Sequence, residues 1–196
     1  MLPALEQLER ARTLFENYEP RDLFYRAATE LVTLALEGKT TLSVAESLAV
    51  LLQTWNSQYY RFLSFNAEHF QALEAVVSSH RSTVVAYRPR SIMSFTTEEY
   101  QVISDVFTAF ELVLGPVGAA KALHLLAPQF FPLWDRKIAK SYGISLDSAG
   151  QNSVEYLRFM TIAVSQVAQL NCNDKYDGLL KRIDEFNYCR FTKGWL

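Results

Sequence analysis

The chain has 196 residues, which is the size of a single domain, and its formal net charge at pH 7 is −2. With 49% hydrophobic and 20% charged residues, the composition is that of a globular protein and excludes the disordered and fibrous classes. The slight negative charge argues against a protein that coats nucleic acid without selectivity, although it allows a local basic face.

Cysteine usage and the N-terminal segment predict a soluble cytoplasmic protein. Cys172 and Cys189 are too few for a disulfide framework, so we expect reduced thiols. The first twelve residues contain Glu6, Glu9 and two arginines where a signal peptide has an apolar core. No later run approaches the roughly 18 apolar residues of a membrane span, so we expect no membrane association.

Apolar residues recur at helical spacing along almost the whole chain, and only 7 Gly and 6 Pro interrupt them. This pattern predicts an all-α fold. In the first half the predicted helices are residues 4–18, 21–36, 43–59 and 67–79. Ser43 with Glu46 forms a capping box and Asn66 is an N-cap, whereas residues 82–95 are predicted as a loop or a short hairpin.

The second half is predicted to contain five further helices. A strongly amphipathic helix begins after Thr96 or Thr97 and ends at Gly115-Pro116. Asp135 is expected to be the N-cap of a short helix that ends at Gly143. The five helices predicted in this half are residues 97–114, 119–126, 136–142, 153–170 and 174–188.

Residue types suited to chemistry concentrate between Gly115 and Gly143. A Gly-rich turn at the start of a helix leaves backbone N–H groups free to bind an anion, most often phosphate. Asp135 follows the letters FPLW at the start of the next predicted helix, where the helix dipole favours its ionised form. Lys121 lies on the preceding short helix and could face this carboxylate.

This segment resembles the helix-hairpin-helix DNA glycosylase superfamily, in particular its 8-oxoguanine glycosylase and endonuclease III branches. That family has a Gly-rich hairpin, a lysine soon after it, an apolar helix, and a Pro-containing approach to an aspartate that begins the next helix. Here residues 115–118 resemble the hairpin, Lys121 the lysine, and residues 131–135 the approach to Asp135.

The resemblance implies an all-α domain over residues 1–196 with two lobes, a cleft between them, and a helix-hairpin-helix element at about 100–127. It implies that Asp135 stabilises the positive charge that develops on the sugar as the N-glycosidic bond breaks. Lys121 would attack the sugar and form an imine that permits strand cleavage. If water attacks instead, Asp135 alone would give a monofunctional glycosylase. The residues expected to bind DNA phosphates are Gly115, Val117, Gly118 and Arg136.

An enzyme of this kind must extrude its target nucleotide and hold the base between aromatic or apolar walls. The candidate pocket residues are Trp55, Asn56, Tyr59, Tyr60, Trp134 and His124. Simpler structural roles remain open: an aromatic stripe is also typical of a core, an aspartate of an N-cap, and a helix lysine of a solvated surface. We expect no cofactor and no metal, because the sequence has no Cys/His cluster for an iron–sulfur centre and His69 and His80 are isolated.

Three functional hypotheses follow from the sequence. The first is a DNA N-glycosylase, with or without lyase activity, whose partner is double-stranded DNA containing a modified base. Family members differ in target, from oxidised purines to bulky modified pyrimidines of phage DNA, so repair and antiviral defence both stay open. The second is a non-catalytic helix-hairpin-helix DNA-binding module. The third is a helical interaction protein, although the sequence indicates no obligatory protein partner.

Overall fold

The computed structural model describes residues 3–170 and 178–196, and all regular structure in these ranges is helical. The all-α prediction is therefore confirmed. Three short 3-10 turns separate some of the helices, and a π-helix, Tyr188–Lys193, follows the last one. The helices are α1 (Leu5–Tyr18), α2 (Asp22–Leu36), α3 (Val44–Trp55), α4 (Ala67–Tyr87), α5 (Tyr100–Leu126), α6 (Arg136–Ser141), α7 (Ser153–Leu170) and α8 (Leu179–Asn187).

Predicted capping interactions form at the starts of α3 and α4. Ser43 Oγ accepts the Glu46 N–H at 3.1 Å, and the Glu46 carboxylate accepts the Ser43 N–H at 2.6 Å. Asn66 Oδ1 accepts the N–H of His69 at 2.9 Å. The expected continuation of α3 to Tyr59 is wrong, because α3 ends at Trp55 and Tyr59 lies in a separate 3-10 turn.

The predicted loop at residues 82–95 is present only from residue 88 onward, where turns and the 3-10 turn Ile92–Ser94 follow α4, and the alternative of a hairpin is wrong. Helix α4 continues to Tyr87, and within the described residues no strand forms there. Val84 and Tyr87 are buried on this last stretch, and the Tyr87 ring stacks on Phe130 at 4.4 Å. Arg88 still has helical backbone angles, and Pro89 ends α4 because it lacks the N–H that would continue the helical hydrogen bonds. The N–H groups of the preceding turns bond to earlier carbonyls, so those turns stay helical.

Helix α5 bends at Gly115, whose backbone has φ +70° and ψ 169°. The predicted break is therefore present, but the second arm begins at Pro116 and not at residue 119. Proline is well suited to a first helical position because its missing N–H would have no partner there.

The sequence was expected to contain no apolar run of membrane-span length, and this expectation is wrong for Thr97–Leu126. In the described part of the chain this is the one helical segment long and apolar enough to cross a bilayer by length and composition. More than half of its most apolar 18-residue stretch is buried inside the molecule. A core helix of a soluble protein can have the same length and apolar composition as a membrane span.

Two buried apolar clusters organise the packing. The larger joins α2, α3, α4, α5 and α7, and the smaller joins Leu8, Ala11 and Phe15 of α1 to the C-terminal helices. Cys189 is buried in the smaller cluster, whereas Cys172 and the predicted helix start at Asp174 lie outside the described residues. Trp55 packs against both clusters and so lies at the boundary between them.

Candidate functional site

A cavity of about 740 Å³ lies at this boundary, a volume in the range of small-molecule binding sites. Its walls come from the end of α3, the bend of α5, the start of α6, and the C-terminal segment of α8 and the π-helix. Lys121 and Asp135 both line it, although 14 positions separate them in the sequence. The fold thus brings the two residues singled out from the sequence to one concave surface.

Lys121 is a buried amine with only 9% of its surface exposed. Its Nζ donates a hydrogen bond to the backbone carbonyl of Trp55 at the end of α3. Burial lowers the pKa of Lys121 to about 8; the negative charges of Asp135 and Asp184 oppose this shift and Arg21 adds to it. A lysine in this state is neutral, and therefore nucleophilic, far more often near neutral pH than an exposed lysine.

Asp135 is held by hydrogen bonds to both carboxylate oxygens. Oδ1 accepts the N–H of Ile138 at 2.7 Å, so the predicted N-cap of α6 is confirmed. Oδ2 accepts the hydroxyl of Thr192 at 2.7 Å from the π-helix. Capping and facing the cavity are compatible roles, and the two bonds fix the orientation of the half-buried carboxylate.

The bend of α5 forms another part of the wall, through Gly115, Pro116 and Val117. Gly118, predicted to bind phosphate with them, does not line the cavity. A Cβ at Gly118 would lie 2.7 Å from Asn56 Nδ2 and 2.8 Å from Leu114 Cβ. Gly118 is therefore needed for the close approach of α5 to the end of α3.

Side chains satisfy backbone carbonyls at the bend. Tyr59 Oη donates to the Val113 carbonyl at 3.0 Å, and Asn56 Nδ2 donates to the Leu114 carbonyl at 3.2 Å. Trp134 Nε1 donates to the Pro116 carbonyl at 3.0 Å. These three predicted pocket residues do line the cavity, but these donors already bind the backbone.

The remaining predicted pocket residues divide into one that lines the cavity and two that do not. Trp55 lines it, with its ring stacked on Tyr25 at 5.6 Å. Tyr60 lies outside and pairs its hydroxyl with His69 Nε2 at 3.1 Å. His124 is fully buried between the Phe131 carbonyl, 2.8 Å from Nδ1, and the Tyr25 hydroxyl, 2.9 Å from Nε2. Burial lowers the pKa of His124 to about 4, as expected for a neutral core histidine.

Cations surround the mouth of the cavity. Arg136, Lys137 and Lys193 are exposed, line it, and have no carboxylate partner in residues 3–170 and 178–196. Arg136 is one of the residues predicted to bind DNA phosphates, Lys137 follows it on α6, and Lys193 is contributed by the π-helix. In the described part of the chain, Arg136 and Lys137 donate only to the backbone carbonyls of Leu146 and Thr192. Cations without a carboxylate partner at the rim of a cleft favour an anionic ligand.

Two buried carboxylates in the cavity were not predicted. Glu19 accepts hydrogen bonds from Arg21 Nε at 2.7 Å and Nη2 at 2.8 Å and from the Tyr188 hydroxyl at 2.6 Å. The bonds from Arg21, reinforced by Tyr188, lower the pKa of Glu19 to about 2. Asp184, on α8, is 8% exposed, and burial raises its pKa to about 7.

One signal could have identified Asp184 from the sequence. It occupies a helical position beside Ile183 and four residues after Leu180, on a face that the apolar pattern predicts to be buried. An acidic residue at such a position is costly unless it has a partner or a function.

Comparisons with protein-family models, with curated proteins and with solved structures found no match to this chain.

Proposed function

We propose that this protein is a DNA N-glycosylase that extrudes a modified or damaged base and excises it, with Lys121 as the nucleophile. The main support is that a buried amine, Lys121, and an oriented carboxylate, Asp135, line one cavity beneath a basic rim. In this proposal the arms of α5 on either side of Gly115 are the helix-hairpin-helix element. The cavity between the two apolar clusters is then the cleft between two lobes.

The chemistry follows from the two side chains. As the glycosidic bond breaks, positive charge develops on the sugar, and the fixed Asp135 carboxylate stabilises it. Lys121 Nζ in its neutral form attacks the anomeric carbon, and ring opening gives the imine from which strand cleavage proceeds. Burial assists both steps, because it weakens screening of the carboxylate and favours the neutral amine.

The basic rim is suited to the phosphates on either side of an extruded nucleotide. Arg136, Lys137 and Lys193 would neutralise phosphate charge, and the N-terminal end of the second arm of α5 offers the N–H of Val117. Binding through these contacts is expected to weaken steeply with salt, because phosphate neutralisation releases counterions.

Phe62 has the position expected of a residue that fills the gap left by an extruded base. Its side chain is 93% exposed, although it lies at the edge of the cavity. Apolar side chains that insert between base steps unstack them and bend the duplex. We expect Phe62→Ala to retain the fold and to slow excision from a paired duplex more than from a single strand.

Excision is tested with duplexes that each contain one modified base, from oxidised purines to bulky modified pyrimidines, followed by heat and alkali to reveal abasic sites. We expect product from at least one duplex and a loss of about two orders of magnitude or more in Asp135→Asn. Asp147→Asn is the matched control, since Asp147 is exposed and does not line the cavity. No abasic product from any duplex, or full activity in Asp135→Asn, refutes the proposal.

The role of the lysine is tested by borohydride trapping on a duplex with one abasic site. We expect a covalent adduct that maps to Lys121 and disappears in Lys121→Gln. Lys140→Gln is the control, because Lys140 is exposed and does not line the cavity. An equal yield from Lys121→Gln would show that another amine reacts.

The alternative of a non-catalytic DNA-binding module is favoured by the same unpaired cations at the rim. It predicts salt-sensitive binding with neither abasic product nor adduct. Binding that does not change with salt would refute both forms of DNA recognition.

A further inference from the structure

Asp184 is the buried acid of the cavity whose charge no neighbour neutralises directly. Its side chain is 8% exposed and lines the cavity with Lys121. Among the described residues no hydrogen bond or ion pair reaches its carboxylate. A nearly buried carboxylate without a partner is costly, so its place in the cavity calls for a ligand or a proton.

The charged neighbours of Asp184 are bound elsewhere. Lys181 donates to Glu185 at 2.7 Å, contacts Asp22 at 3.3 Å, and lies over the Phe15 ring at 4.1 Å. Glu185 also pairs with Arg12 at 2.5 Å.

The other titratable groups are no better placed to neutralise Asp184. Asp135 accepts hydrogen bonds from the Ile138 N–H and the Thr192 hydroxyl. Arg21, whose positive charge lowers the pKa of Lys121, donates to Glu19. Burial raises the pKa of Tyr25 and of Cys189, and the negative charge of Asp184 raises both further. Lys121 is thus the buried cation without a carboxylate bond that lines the cavity with Asp184, whereas Arg136, Lys137 and Lys193 are exposed.

The proton affinities of the two groups are close. Burial raises the pKa of Asp184 to about 7 and lowers that of Lys121 to about 8. The two shifts run towards each other, so the neutral pair is far less disfavoured relative to the ion pair than it is for free aspartate and lysine in water. Both groups line one cavity, and within the described residues no ion pair fixes the charge of either.

We propose that Asp184 is the proton-transfer residue of the cavity, taking a proton from Lys121 as the amine attacks and delivering it to the departing base. This step rests on the proposed function. The Lys121 ammonium loses one proton to Asp184, and its lone pair forms the bond to the anomeric carbon. The glycosidic electron pair leaves on the base nitrogen, which takes the proton from Asp184 and restores the carboxylate.

The first test needs no DNA. The reactivity of Lys121 towards acetic anhydride is measured against pH by peptide mass spectrometry in the unaltered protein, Asp184→Asn and Asp147→Asn. The negative charge of Asp184 raises the pKa of Lys121, so its removal is expected to lower the midpoint for Lys121 by about one unit, with no change in Asp147→Asn. Exposed Lys140 is the internal reference in every sample. An unchanged midpoint for Lys121 in Asp184→Asn overturns the proposal.

The second test follows borohydride trapping on the abasic duplex against pH. If Asp184 moves the proton, Asp184→Asn slows adduct formation at least about tenfold with unchanged DNA affinity, and Asp184→Glu restores most of the rate. If Asp184 merely holds the ammonium by its charge, Asp184→Asn traps faster below pH 7, which overturns proton transfer. A loss confined to DNA affinity also overturns it.

The outcome for the unaltered protein separates the two proposals. No Lys121 adduct in that protein refutes the proposed function and the reaction step together. A normal adduct yield that Asp184→Asn leaves unchanged refutes proton transfer alone.

Discussion

Replacing Asp184 by asparagine is expected to stabilise the protein in a pH-dependent manner. The substitution keeps the shape of the side chain and removes its charge from a buried position. Burial raises the pKa of this carboxyl from 3.8 to about 7, so the folded state binds its proton more tightly than the unfolded state. The ionised form therefore destabilises the fold fully above pH 7, and this penalty declines as the pH falls towards 3.8.

The size of the effect follows from that interval. About three pKa units correspond to about 4 kcal/mol of unfolding free energy, which is an upper bound for the gain in Asp184→Asn. The variant also loses the attraction between Asp184 and the Lys121 ammonium, so we expect a net gain of about 1–3 kcal/mol at pH 8. The gain should be far smaller near pH 4, where the native carboxyl is protonated in the folded state.

Urea unfolding at pH 8, 6 and 4 measures this gain from the midpoints, provided that the slopes agree between variants. Asp147→Asn is the control, since an exposed carboxylate should change the unfolding free energy little at any pH. A variant less stable than the unaltered protein at pH 8, or an equal gain at pH 8 and pH 4, would refute the assignment of Asp184 as a destabilised anion.

Three further predictions concern the cavity wall and the packing of α5 against α3 behind it. Lys121→Met should stabilise the fold below pH 8, because burial lowers the pKa of this amine from 10.5 to about 8 and the charged form is therefore destabilising. The gain should shrink as the pH rises towards 10.5, and urea unfolding at pH 7 and pH 10 measures the difference. Gly118→Ala should cost about 1–3 kcal/mol, since its Cβ would lie 2.7 Å from Asn56 Nδ2; a thermal melt measures the loss, and Asn56→Ala should recover part of it. Thr192→Val removes the 2.7 Å bond to Asp135 and should lower single-turnover excision about tenfold with unchanged DNA affinity; an unaltered rate would contradict a positioning role.

The sequence predicted most of what is decided locally. Ser43, Asn66 and Asp135 all cap helices as expected, because a capping bond joins residues three positions apart. The bend at Gly115 was also predictable, since proline cannot continue the hydrogen-bond pattern of the preceding arm. The end of α4 was placed too early, because burial of Tyr87 against Phe130 is a tertiary contact that residue preferences do not contain.

The candidate site was less predictable, because most of its contacts are long-range. The hydroxyl that binds Asp135 comes from Thr192, 57 positions later, and the carbonyl that binds Lys121 comes from Trp55, 66 positions earlier. Helical spacing grouped Trp55 with Tyr60, but the chain leaves the helix after Trp55 and Tyr60 turns towards His69. Periodicity reports which face of an element is buried and does not report which distant element covers it.

The ionisable groups near the cavity differ in how they are satisfied, and this difference bears on function. Lys181 forms ion pairs with Glu185 and Asp22 behind the wall, although one oxygen of each of these carboxylates is buried without a hydrogen-bond partner. Lys121 and Asp184 lie beside these ion pairs, yet each is held in an environment that disfavours its charged form, without a direct ion pair between them. A methionine and an asparagine would satisfy the fold better at these two positions. A costly amine and a costly acid on one concave surface are the pattern expected where stability is given up for chemistry, and this pattern supports the proposed catalytic cavity over the proposed alternative of a binding module.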